Sequence, residues 1–181
     1  MNRALAFGAR ATRSAMLFSV AAGIAGIVIA VGCAVEADLR PEPLVWGLLV
    51  LFAFDLTGGV AANADPSNWA VSPQPSWRKL AFAVIHVHPI VLAALMAPDH
   101  LVWAGALWLA TIVTVAFAWV VPTDLRRPFL LTVAAVILAD HAAAAPEGLE
   151  WLAPVYVLKL VAAYAWRISG PATPASSAPG T

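Results

Sequence analysis

Charge is scarce in this sequence and cysteine is almost absent. Only 11% of the 181 residues are Asp, Glu, Lys or Arg, where a soluble domain carries about a quarter. The 10 basic and 10 acidic residues cancel to a formal net charge of zero. No global basic field therefore draws the chain to nucleic acid. A single cysteine, Cys33, excludes an intramolecular disulfide and any CxxC motif. HExxH is missing too, so neither a metal nor a cofactor is expected. What fills the chain is hydrocarbon: 62% of residues are hydrophobic and the mean hydropathy is +0.85. So short a chain cannot hide that much apolar surface in a water-surrounded core, and its solvent is lipid.

A bilayer core asks for about 20 apolar residues per helix. That length divides the chain into six expected spans: Ala15–Val35, Leu44–Asn63, Leu80–Ala97, Leu101–Val121, Pro128–Ala145 and Leu149–Ile168. The connections carry helix-stop chemistry, as in RPEP, APD and APEG. The fold class expected is an all-α polytopic membrane bundle. It comprises a basic N-tail at 1–14, a six-helix domain at 15–168 and a disordered C-tail at 169–181, where SGPATPASSAPGT has no apolar period.

Basic residues orient the bundle. Arg3, Arg10, Arg13, Arg78, Lys79, Arg126, Arg127 and Arg167 all fall on one side if six helices alternate. The other side holds Arg40 among Glu36, Asp38, Glu42, Asp99, Glu147 and Glu150. Both termini are thus expected in the cytoplasm. Tryptophans favour the two interfaces, and most fit that frame. Trp108, deep inside span four, does not. The first span is long for a cleaved signal peptide, and its AAGIAGIVIAVG small-residue pattern suits close helix packing.

Ionisable groups at membrane depth are costly and tend to face a bundle interior. Asp55, His86, His88 and Lys159 are such groups. At about 1.5 Å per residue, Asp55, His88 and Lys159 lie within roughly one turn of the same depth on three spans. They form one layer if spans two, three and six are neighbours. His86 and His88 are two residues apart, which on a regular helix turns them about 200° from each other. Pro89 bends the chain there by removing a donor and pressing on the preceding turn. The expectation is one imidazole facing the layer and the other bonding a different helix. Interhelical hydrogen bonding, proton handling and substrate contact all remain open for the pair. The spacing is poor for chelating a metal from one helix.

Secondary candidates surround the layer. Gly58 and Gly59 permit close backbone approach, either for helix packing or for a ligand, and Asn63 stands near the inner mouth. Asp140, His141 and Glu150 form an outer cluster that is either a wetted mouth or an ion entry point. No catalytic residue can be assigned. Thr57 and Cys33 are the nearest thing to membrane nucleophiles.

The segments DLTGGVAAN (55–63), HVHP (86–89) and GLEWLAPVYVLKL (148–160) resemble marked segments of an uncharacterised family of small multi-pass bacterial inner-membrane proteins. The resemblance implies an inner-membrane location and no particular chemistry. Small-solute or proton-linked transport through the polar layer is the leading expectation. An intramembrane enzyme acting on lipid and a non-catalytic assembly subunit are the alternatives. Expected partners are the lipid bilayer, a small-molecule ligand and, in a homo-oligomer, a further copy of the chain; nucleic acid is not among them.

Overall fold

The computed structural model describes residues 12–64 and 76–165. The N-tail before Thr12, the C-tail, Trp69, Trp166 and Arg167 lie outside the described residues. Among those described, every regular element is helical. Helix α1 spans Arg13–Glu36 and starts at Thr12, whose side chain accepts from the Ala15 amide at 3.1 Å. It ends where Asp38 takes the left-handed conformation (φ 50°) and the Leu39 amide returns to the Ala34 carbonyl. Helix α2, Pro43–Ala64, begins on a proline, whose fixed φ suits the first helical position.

These two helices pack along a seam of small residues. Ser19, Gly23, Gly26, Ala30 and Ala34 recur every three or four positions and bury one face of α1. A Cβ at Gly58 of α2 would come within 3.0 Å of the Ser19 carbonyl oxygen. At Gly26 it would run into Thr57, and at Gly23 into the Phe54 ring. The opposite face of α1 exposes Leu17, Phe18, Val28 and Val35. Small residues inside and large apolar residues outside are the pattern expected when the surrounding medium is lipid.

The third expected span is two helices. Helix α3 runs Ser76–Ile85 and α4 runs His88–Met96, with His86 and Val87 outside the helical pattern. Pro89 sits in the first turn of α4. A short 3₁₀ turn, Pro98–His100, leads into α5, Leu101–Phe117. Helix α6 covers Thr123–Ala142. It starts five residues before the expected Pro128, because Pro122 supplies the preset φ of −50° and accepts the Leu125 amide. Pro128 is accommodated inside the helix, and the Arg126 guanidinium donates to the Val121 carbonyl at 3.1 Å.

The last expected span is shorter and differently wound. Gly148, at φ 80°, turns the chain; a Cβ there would strike Leu39. Helix α7, Leu152–Val157, then passes directly into a π-helical stretch, Leu158–Tyr164. Leu152, Ala153, Tyr156, Val157, Leu160 and Val161 are buried. This segment is the axis of the bundle, packed against α2, α5 and α6. Hydroxyls in the apolar helices bond their own turns: Thr57 to Ala53, Thr111 to Leu107 and Thr114 to Ala110. Among the described residues, three helices are long and apolar enough to cross a membrane: Arg13–Glu36, Pro43–Ala64 and Pro98–Phe117. Leu80–Met96 and Leu152–Tyr164 are shorter apolar helical stretches.

Candidate functional site

The site is built where α2, the α3–α4 break and the π-helical stretch meet. Lys159 projects from the π turn. Its ammonium donates to Asp55 Oδ2 at 2.5 Å and to the Asp55 backbone carbonyl at 3.2 Å. A Cβ at Gly59 would lie 2.5 Å from Lys159 Cε, so this glycine leaves the space the lysine stem fills. The π winding shifts side chains relative to an α-helix and tends to mark functional positions.

Both imidazoles face the same carboxylate. His88 Nε2 lies 3.5 Å from Asp55 Oδ2 and His86 Nε2 lies 4.0 Å from it. Their ring centroids are 5.1 Å apart. The expected division, with one ring inward and one toward a different helix, does not occur. The reason is the break itself: the Val87 amide returns to Ile85 and the His86 amide to Ala83, so the helical rotation that would separate the rings is not completed. Phe82 and Phe52 wall the rings at centroid distances of 4.1 and 4.4 Å.

Hydrogen bonding fixes one tautomer. His86 Nδ1 stands 2.5 Å from the Phe82 carbonyl, which can only accept, so Nδ1 carries a hydrogen and, in the neutral ring, Nε2 presents a lone pair to the cluster. His88 Nδ1 is buried with no hydrogen-bond partner. A neutral His88 therefore keeps its proton on Nε2, aimed at Asp55. The Lys159, His86 and His88 side chains are 3%, 7% and 14% exposed, against 46% for Asp55. The cluster thus opens on the carboxylate side and is closed behind it.

The break leaves carbonyls without their helical donors, and other helices supply them. Trp108 Nε1 donates to the Val84 carbonyl at 3.1 Å and the Tyr156 hydroxyl to the His86 carbonyl at 2.8 Å. This explains why Trp108 lies deep in its helix. Sequence reasoning missed both donors. A usable signal existed for the second, since the chain's two tyrosines, Tyr156 and Tyr164, both flank Lys159 on one segment.

The secondary candidates divide. Gly59 belongs to the cluster, whereas Gly58 belongs to the α1–α2 seam. Asn63 is eight residues past Asp55 on α2, about 12 Å along the axis. Asp140 and His141 pair at 3.2 Å, and the His141 carbonyl accepts from Trp103. Asp140 and Glu150 are exposed. Cys33 is half-buried on α1, and Thr57 Oγ1 is committed to the Ala53 carbonyl at 2.6 Å.

No family model matches the chain, and neither a curated protein nor a solved structure matches it. The reading of the site rests on its geometry.

Proposed function

We propose that this chain is a multi-pass protein of a bacterial inner membrane, and that the Asp55 cluster is the layer where a small solute or a proton is held during transport. Six crossings with both termini in the cytoplasm follow from the basic residues collecting on one side; the bacterial placement follows from the resemblance of the three quoted segments. One observation carries the functional reading: a single carboxylate oxygen, Asp55 Oδ2, faces the Lys159 ammonium and two imidazole nitrogens within 4.0 Å. Lys159 neutralises Asp55 while no ligand is present. A cation or hydrogen-bonding solute arriving at the half-exposed carboxylate competes with the amine, and the imidazoles supply a polar, buried lining. Such an exchangeable pairing is what a transport site needs, since tight permanent binding would trap the cargo.

The alternatives fare worse on specific grounds. A lipid-acting enzyme needs a nucleophile beside its base, and the Thr57 hydroxyl is bonded within its own turn. An assembly subunit was expected to dock through small-residue faces, and the one on α1 is filled by α2.

The test is flux. Purified protein in liposomes loaded with a pH-sensitive dye should collapse an imposed proton gradient faster than empty liposomes, and Asp55→Asn should return the rate to the empty-liposome level. Should the wild type match empty liposomes with and without a panel of small solutes in the lumen, the transport reading fails.

A further inference from the structure

The cluster has a second property that hydrogen bonding does not use up. The His86 tautomer aims a lone pair at a carboxylate oxygen that also carries lone pairs. The Lys159 ammonium meets that oxygen at 2.5 Å, while the His86 lone pair faces the same oxygen, another acceptor, across 4.0 Å. His88 Nε2 closes a triangle on the same oxygen, and one ligand atom from each of Asp55, His86 and His88 lies within 4.8 Å of the others. In a tetrahedral site with ligands at about 2.0–2.1 Å, neighbouring ligand atoms stand about 3.3 Å apart. The 3.5 Å and 4.0 Å separations reach that spacing by small side-chain rotations.

We propose that Asp55, His86 and His88 form a binding site for a divalent transition-metal cation of the zinc or cobalt type, with Lys159 occupying the carboxylate when the metal is away. This rests on reading the cluster as a ligand-binding layer and names the class of ligand it takes. Two nitrogens and one carboxylate select such an ion over calcium or magnesium, which prefer all-oxygen sites. Three protein ligands leave a fourth position, and the half-exposed face of Asp55 is where water or cargo would take it. His86 has the outer support typical of a metal-bound histidine, its Nδ1–H held by the Phe82 carbonyl. His88 has no such acceptor, and metal binding requires the other neutral tautomer, its single ring proton passing from Nε2 to Nδ1 so that Nε2 offers a lone pair. The poor i, i+2 spacing ceases to matter, because the chain between the two rings is not helical.

The experiment uses the full-length protein in detergent, stripped with chelator and titrated with Zn²⁺ by equilibrium dialysis and with Co²⁺ by visible absorption. The expected result is one metal per chain and a Co²⁺ spectrum of low, four-coordinate symmetry. Affinity should fall at least about tenfold in each of Asp55→Asn, His86→Gln and His88→Gln, and stay unchanged in His100→Gln, which alters an exposed turn. Lys159→Met should bind more tightly, having lost the competing cation. Circular dichroism and a monodisperse elution profile establish that each variant is folded. A folded wild type that binds neither metal, or binding that survives all three ligand substitutions, overturns the proposal. The transport reading fails separately. Stoichiometric metal without flux in liposomes removes transport and keeps the site, whereas proton flux without bound metal does the reverse.

Discussion

Asp55 and Lys159 come from residues 104 apart in the chain, and each makes the other tolerable. An ammonium only 3% exposed has few alternatives to the carboxylate, its other contact being the Asp55 backbone oxygen. Removing one partner of a buried pair costs about 3–5 kcal/mol because the survivor keeps its desolvation penalty; replacing both costs much less. Asp55→Asn should therefore lower the thermal midpoint in detergent more than the Asp55→Asn/Lys159→Met double variant does. A double variant less stable than either single one would show that the pair is not the unit. The depth match of Asp55, His88 and Lys159 was legible by counting residues along three apolar runs. That both rings turn to Asp55 was not, since it depends on how the chain is wound at His86 and Val87.

At the scale of elements, the α3–α4 break is held open by donors from other helices. Trp108→Phe and Tyr156→Phe each strip one donor from a carbonyl, Val84 and His86 respectively. Tyr156→Phe should cost about 1–3 kcal/mol, the usual penalty for an orphaned buried group, and Trp108→Phe less, because the Val84 carbonyl is exposed. Unfolding curves in detergent measure it, and a neutral Tyr156→Phe would mean that the His86 carbonyl finds another donor. The α1–α2 seam gives a second prediction. Gly26→Val forces a branched side chain into Thr57 and should cost about 1–3 kcal/mol through overpacking. Gly105→Ala, where a Cβ meets nothing within 4 Å, should be neutral or stabilise by up to about 1 kcal/mol. Pro89 announced a bend and the small-residue spacing announced the seam. The π winding around Lys159 had no sequence signal; the stretch that carries it packs against α2, α5 and α6.

For the whole molecule, the proposed six crossings make an accessibility pattern. In a Cys33→Ser background, an impermeant maleimide should label Arg40→Cys, His100→Cys and Glu147→Cys from outside intact cells. Asp124→Cys should label only after permeabilisation. His100→Cys protected from the reagent in intact cells while Asp124→Cys reacts would invert the orientation. The arrangement of helices was beyond the sequence. Apolar runs look alike, so nothing in Leu152–Tyr164 marks it as the buried axis and nothing in Arg13–Glu36 marks it as peripheral.

The sequence alone pointed to an all-helical chain with apolar helices long enough to cross a membrane, because little charge and much hydrocarbon favour lipid as the medium and lipid demands an internally satisfied backbone. It also determined which side chains would be expensive at depth. Only the tertiary structure decided that three of them, His86, His88 and Lys159, converge on one carboxylate oxygen of the fourth, Asp55. Convergence depends on which helices are neighbours and on a two-residue interruption of winding, and both are settled by packing between segments far apart in the chain.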